Sequence, residues 1–468
     1  MTLIAQLQAL LTPAHVLQGA DLARYSRDWM GHYHWHPTAV LRPANTAQTA
    51  AILKLCHQHN APIVPIGGNT GLTGATSAEN TLMLSLERLN QITGINPATR
   101  TATVGAGVIL SRLHDAAAAH DLIFPLYFGA RGSAQIGGNL STNAGGSNVL
   151  RYGNTRALTL GLEVVLADGT ILNLQSQLHK DNSGYDLKDL FIGAEGTLGI
   201  ITAATLKLHP KPLAYATAMV AMADLPTALT LLNTLQKTTG GMVEAFEYMP
   251  AAYITRLMRI RPDMRPPFAQ THPVNILVEI ASTAPRDATA DPDGTVPLTT
   301  LLESTLAALL DTGAALDATI ATSEAQRREM WARREAAAEV STDPRPPVDS
   351  DVALPLDAVA PFLSQAAARI ASLDPHAETF IVAHLGDGNV HHTIWPSRDD
   401  ATLRDAIRET VEDVVSELAG SFSAEHGIGL TKRPTMARRK DPAALAVMRQ
   451  IKAALDPKGI LNPGKVLG

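Results

Sequence analysis

GARGSAQIGGNLSTNAGGS, residues 129–147, cannot be read as an ordinary helix or strand. Six of its nineteen residues are Gly, so backbone N–H groups can approach a ligand closely, and Ser, Thr and Asn add side-chain hydrogen bonds. A sparser loop, GGNTGLTG at 67–74, follows the short β run PIVPI and offers the same kind of phosphate cradle without a lysine. Neither loop contains G-x-G-x-x-G, and no Gly-Lys-Ser/Thr completes a P-loop. On composition alone, the same loops serve equally well as tight turns in a β-rich domain.

Around these loops the chain alternates short strands with helices. Strands are predicted at 81–86, 101–108, 159–172 and 198–210, with the helical LSRLHDAAAAHDL among them. After HPKP at 209–212 the pattern lengthens. AYATAMVAM, MVEAFEYM, VNILVEIA and LDATIATS read as strands, and 225–237, 299–312, 323–340 and 356–373 read as helices. This suits an antiparallel sheet with helices on one face, and the whole is α+β. STAPRDATADPDGTVP at 282–297 is a loop, and the closing LDPKGILNPGKVLG has too many turn residues to be mid-helix.

At 468 residues the chain exceeds a single core, and two or three domains are expected. The net charge of −6, with both signs interspersed, argues against a nucleic-acid partner or a strongly anionic membrane, and points to small substrates. A single cysteine, Cys56, excludes an internal disulfide framework and an all-thiolate metal site. The spacing of AILKLCHQHN makes Cys56 a packed helix residue. The N-terminus has no basic signal-peptide region and no stretch is long enough to span a bilayer, so a cytoplasmic protein is expected, with peripheral docking through a partner left open.

AHLGDGNVHH, residues 383–392, carries a second signal. Asp387-Gly388 reads as a two-residue hairpin turn, which would pair Gly386 with Asn389, Leu385 with Val390 and His384 with His391. Facing imidazoles with Cβ atoms ~5 Å apart can reach one metal ion. An ordinary hairpin with two surface histidines fits the same letters. AEHGIG at 424–429 adds Glu425 and His426. His384, His391 and Glu425 then make a two-His, one-carboxylate set, which leaves coordination positions open as a catalytic site requires.

The runs PIGGNTGLTGA, IGGNLSTNAGGSNVLRYGNTR, LEVVLADGT and KDNSGYDLKDLFIGAEGTLGIIT resemble the FAD-binding domain of the vanillyl-alcohol-oxidase superfamily. More narrowly, the chain from about residue 30 onward resembles the D-2-hydroxyglutarate and D-lactate dehydrogenase group. The resemblance implies a two-subdomain FAD-binding domain over 1–212 (core about 35–212) and a substrate or cap domain over 213–420. A segment at 421–468 would carry the Glu-His motif and pack back on the FAD domain. Flavin contacts are implied at Gly67, Gly68, Asn69, Thr70, Gly71, Gly138, Asn139, Asn143, Gly145, Gly146, Gly199, Ile200 and Asn462. The loops carry no His or Cys, so the FAD is expected to be non-covalent.

HLGDGNVH and SAEHGIG match the group's metal-binding and catalytic motifs, which implies zinc or a similar divalent ion, with manganese and iron sharing these ligand types. A 2-hydroxy acid would chelate the ion and His426 would take its hydroxyl proton, imidazole being the side chain that titrates near neutrality. The C2 hydride would pass to the flavin, and electrons onward to a quinone, a cytochrome or an electron-transfer flavoprotein rather than NAD. Trp331, Arg334 and Glu335 match a Trp-x-x-Arg-Glu pattern that assigns the substrate carboxylate to Arg334, with Arg333 pointing elsewhere. A homodimer is compatible with the pattern but not legible in it.

Three positions leave the hydroxyglutarate pattern: Ala338 stands where threonine is expected, Asp349 where lysine is expected, and Thr393 where asparagine is expected. An anion at Asp349 disfavours a second substrate carboxylate. The expected substrate is therefore a D-2-hydroxy acid with a neutral, apolar or basic side chain. A D-2-hydroxyglutarate-specific enzyme is the alternative within the class, and a metal-dependent hydrolase the alternative outside it.

Overall fold

VNILVEIAS, residues 274–282, is buried at every position because the sheet it belongs to is covered on both faces. The computed structural model describes residues 1–467. The chain forms two units, one of residues 1–145, 153–211 and 425 onward, the other of 146–152 and 212–424.

In the first unit the strands are β1 (Val16–Leu17), β2 (Ala39–Leu41), β3 (Ile63–Ile66), β4 (Leu82–Ser85), β5 (Ile92–Asn96), β6 (Thr101–Gly105), β7 (Leu122–Ile123), β8 (Thr159–Val165), β9 (Ile171–Leu174), β10 (Ile200–Lys207) and β11 (His209–Pro210). The first four form a sheet in the order β1-β2-β4-β3, with parallel pairing of β4 to β2 and β3. A separate antiparallel sheet runs β5-β6-β10-β8-β9, and β7 pairs with β11. The helix Thr46–His59 is capped by Asn45, which accepts the Gln48 N–H at 2.9 Å, and stops at Asn60 with φ +49°. Cys56 on that helix is fully buried in an apolar cluster with Leu53, Ile63 and Leu461, and burial pushes its thiol up to about 12. The C-terminal turn-rich segment brings Leu461 beside Ile63 in a parallel bridge.

His114, on the helix Leu110–Ala118, has its Nε2 3.1 Å from the Leu126 carbonyl and its ring stacked on Tyr127. Burial pushes its pKa down to about 4. An unfolded imidazole titrates near 6.5, so this group's contribution to stability is complete above that pH and is lost as pH falls towards 4. His114→Gln keeps a donor for Leu126 and should remove an acid-induced loss of at most about 3 kcal/mol. Urea unfolding at neutral pH and in acid, for both proteins, checks this, and an unchanged difference between the two pH values would refute it.

The second unit holds β12 (Ala214–Met222), β13 (Val243–Pro250), β14 (Val274–Ser282), β15 (Ala315–Ile320), β16 (Val348–Ala353), β17 (Glu378–His384) and β18 (Asn389–Trp395). They make one antiparallel sheet in the order β15-β12-β14-β13-β17-β18-β16. Helices Leu225–Thr239, Pro297–Asp311, Val359–Leu373 and Ala401–Glu417 cover one face through Leu231, Leu302, Phe362 and Ile407. The opposite face carries the shorter helices Ala251–Ile260, Glu324–Glu335 and Ala337–Val340, packed through Tyr253, Met330 and Val340. The helix expected over 323–340 is thus two, broken at Ala336. Ser323 caps the first by accepting the Gln326 N–H, while Gln326 Oε1 accepts the Thr322 N–H. Among the described residues no helix is long and apolar enough to cross a membrane.

Candidate functional site

In the first unit the two glycine loops meet backbone to backbone. A Cβ on Gly68 would lie 2.0 Å from the Ser133 carbonyl oxygen, and a Cβ on Gly137 would lie 2.8 Å from the Ala106 Cβ and 3.1 Å from its carbonyl oxygen. Beside Gly71 and Gly138, by contrast, the space a Cβ would take is open. Gln135 Oε1, Asn139 Nδ2 and Asn462 Oδ1 are buried without a hydrogen-bond partner among the described residues. Unpaired amide atoms at this depth call for a polar ligand. Open glycines and spare donors and acceptors fit the dinucleotide expected here, FAD.

The implied flavin residues divide by what their side chains already do. Asn69 has φ +54° and its amide is engaged by the Arg27 carbonyl and the Thr76 hydroxyl, both at 2.8 Å. Asn143 has φ +51° and accepts the Arg156 N–H at 2.9 Å. Both therefore shape the loops, and what they offer a ligand is backbone. Gly199 is required by packing, since a Cβ would meet Val164 at 2.6 Å and the Phe191 ring at 2.9 Å. Ile200 opens β10 with its side chain in the core. Gly67 lies against Gln135, and Thr70 extends the first loop. Gly145 ends a segment of the first unit and Gly146 begins the short insert of the second.

Glu425 and His426 belong to the first unit, and the two hairpin histidines to the second. The hairpin register differs from the expected one. His384 stands opposite Asn389, and His391 opposite Val382, leaving Leu385–Gly388 as a four-residue loop. A type I′ turn needs positive φ at both central residues, whereas within this loop only Gly388 has it, at +81°. The His384 carbonyl accepts the N–H groups of Asp387 and Gly388 at 3.2 and 3.1 Å, and Leu385 is drawn into the core. The two registers differ by two residues, so every side chain keeps its face of the sheet and only the turn changes.

The shift leaves the imidazoles as diagonal neighbours on one face, with ring centroids 5.5 Å apart and a ligand nitrogen of each within 4.8 Å of the other. Each ring is approached by a buried carboxylate. His384 Nδ1 lies 2.8 Å from Glu247 Oε1, and His391 Nδ1 lies 3.7 Å from Asp351 Oδ1. Carboxylates on the far nitrogen orient imidazoles for an ion, so this donor pair fits a divalent metal. Glu247 is fully buried on β13, directly opposite His384. Its other oxygen accepts Arg334 Nε at 2.7 Å, and Arg334 Nη2 is 3.5 Å from His384 Nε2. Burial would raise the Glu247 pKa, but the charges of His384 and Arg334 outweigh it and hold the carboxyl below its usual range.

Neighbouring helix positions diverge. Arg333 turns to Glu329 and the Arg265 carbonyl, and Trp331 Nε1 donates to Glu279 at 2.9 Å. Asp349 and Thr393 are cross-strand partners joined by a 2.7 Å hydrogen bond, one pleat from Asp351 and His391 on the same face. Ala338 is exposed on the helix Ala337–Val340.

Sequence reasoning missed Glu247 and Glu195. VEAFEYMP reads as a strand, but nothing local separates a buried Glu from the exposed half of an alternating pattern. Glu195 lies within GAEGTLG, where no local pattern marks it, and it adopts a φ of +51° that is unusual for a non-glycine residue.

Residues 37–175 match the family described as FAD binding domain, and 211–466 that described as FAD linked oxidases, C-terminal domain. The mitochondrial D-2-hydroxyglutarate dehydrogenase of Bos taurus is 36% identical, covering 99% of this chain and 83% of that protein. D-2-hydroxyglutarate dehydrogenase of Stutzerimonas stutzeri (strain A1501) is 34% identical, covering 99% and 98%. Among solved structures, p-cresol methylhydroxylase with substrate bound superposes with a TM-score of 0.76 over 99% of this chain and 96% of that one. Its identity is 17%, so the likeness is one of fold. With more than half of the chain matched by one domain family and nearly all of it by these relatives, the protein belongs to the FAD-linked oxidases of the vanillyl-alcohol-oxidase superfamily.

Proposed function

We propose that this protein is an FAD- and divalent-metal-dependent dehydrogenase that oxidises a D-2-hydroxy acid to the 2-oxo acid. The observation that carries the reading is the buried array on one sheet face, in which Glu247 binds both Arg334 and His384 one diagonal step from His391. FAD, held by the glycine loops, supplies the acceptor for the C2 hydride. A divalent ion, zinc or one with similar ligand preferences, supplies Lewis acidity to the substrate hydroxyl.

The remaining work falls to side chains. His384, His391 and Glu425 are the ligand set, and Glu247 and Asp351 hold the imidazoles in orientation. Glu247 occupies Nε of Arg334 and Nη2 lies against His384, so the substrate carboxylate would approach the Nη1 side of the guanidinium. His426 takes the hydroxyl proton. A quinone, a cytochrome or an electron-transfer flavoprotein receives the electrons.

The relatives' names favour a dicarboxylate, whereas the Asp349–Thr393 pair favours a neutral or basic substrate end, because a second carboxylate would meet an anion on this face. Purified protein should show a flavin spectrum that an anaerobic panel of D-2-hydroxy acids bleaches, with D-lactate and basic acids ahead of D-2-hydroxyglutarate. Chelator dialysis should lower the bleaching rate at least about 100-fold, with recovery on adding zinc or manganese. No bleaching by any acid sinks the reaction. Fast bleaching by dilute D-2-hydroxyglutarate alone sinks the substrate class, and indifference to chelation sinks the metal.

A further inference from the structure

The segment after His426 is held by a carboxylate that the mechanism above does not use. Ile428 N–H donates to Glu195 Oε1 at 2.7 Å and Gly429 N–H to Oε2 at 2.9 Å. Gly427 and Gly429 have φ of +76° and +50°, so the chain turns successive N–H groups onto one anion, a backbone nest. The fit leaves no room for side chains. A Cβ on Gly427 would lie 2.8 Å from Glu195 Oε1, and one on Gly429 would lie 2.3 Å from the Thr73 carbonyl. That carbonyl also accepts the Leu430 and Thr431 N–H groups at 2.8 and 3.2 Å.

Glu195 is itself fixed on every side. It is 5% exposed, its N–H donates to the Ser141 carbonyl at 2.8 Å, and its own carbonyl accepts Asn462 Nδ2 at 2.7 Å. One residue thus ties together the helix Ile136–Thr142, the Asn462 turn and the Glu-His loop. Lys432 and Lys465 add positive charge around it.

We infer that Glu195 is a positioning residue: its carboxylate clamps the backbone immediately after His426 and so fixes the direction in which that imidazole receives the substrate's proton. The inference rests on the proposed role of His426 as base. Glu195→Gln preserves volume and one acceptor but turns an NH2 group towards the second backbone N–H. Gly427→Ala disturbs the same contact from the other side.

The test is anaerobic stopped-flow reduction of the FAD-loaded protein by the fastest acid of the panel. Glu195→Gln, Gly427→Ala, His426→Asn and the Glu195→Gln/His426→Asn double variant are compared with the native chain. Either clamp variant should lower the limiting rate about 10- to 100-fold, while FAD content and half-saturating substrate concentration stay within about two-fold. The double variant should be no slower than His426→Asn, because the clamp acts only through that ring. A native limiting rate in both clamp variants overturns the inference, as does additive loss in the double variant. Loss of FAD or of folding in both clamp variants overturns it in favour of a purely structural clamp. If His426→Asn itself reduces flavin at the native rate, the base assignment fails first and the inference falls with it.

Discussion

Arg334→Met is expected to destabilise the second unit by ~3–5 kcal/mol and to abolish bleaching of the flavin by hydroxy acids. Glu247 is fully buried, and its two oxygens are taken by Arg334 and His384. Removing the guanidinium leaves a carboxylate in an apolar sheet with one imidazole to neutralise it. Arg334 lies in the same low-dielectric setting, only 9% exposed, so the pair is not a surface bridge of negligible value. Glu247→Leu/Arg334→Met should recover most of the lost stability, since replacing both partners removes the uncompensated charge. Activity should stay lost in the double variant, because the substrate cation and the orienting carboxylate of His384 are both gone. Urea midpoints and anaerobic bleaching separate the two effects. Arg334→Met with a native urea midpoint would refute the electrostatic account, and a double variant that regains bleaching would refute the assigned role.

The second large effect is expected from a pair of glycines with opposite surroundings. Gly68→Ala should yield protein with FAD affinity reduced at least about 100-fold, at a stability cost of roughly 1–3 kcal/mol. Its Cβ would sit 2.0 Å from a backbone oxygen of the other loop, so the cradle must open. Gly138→Ala meets nothing within 4 Å and lies in the helix Ile136–Thr142. There alanine should leave folding unchanged or improve it by up to about 1 kcal/mol, yet weaken FAD by filling space the cofactor needs. Flavin fluorescence titration of the apoproteins reads both affinities. Native FAD affinity in Gly138→Ala would remove that position from the site, and native affinity in Gly68→Ala would show that contact between the loops is not what shapes the cradle.

Much of the fold was legible because its signals are local. The long strands of the second unit announce themselves as apolar runs, and helix starts are marked by Asn45, Asp224 and Ser323, whose side chains accept the next turn's N–H. The glycine loops were legible for the same reason, since a backbone that must approach another closely can use no other residue. The Asp349–Thr393 pair was visible only as two separate departures. Their hydrogen bond across β16 and β18 makes them one feature.

By itself, then, the sequence determined the α+β class, the two glycine loops, the candidate imidazoles and the helix carrying Arg334. Tertiary structure decided which carboxylates serve them. Glu247 meets His384 and Arg334 across strands and helices far apart in the chain, and Glu195 meets Ile428 and Gly429 across more than two hundred residues. It also decided the hairpin register, which closes through the four-residue loop Leu385–Gly388, with positive φ at Gly388 alone, in place of a two-residue Asp-Gly turn. The physical reason is the same in each case. Turn and cap preferences act within a few residues, whereas a buried charge is stabilised only by partners that folding brings to it.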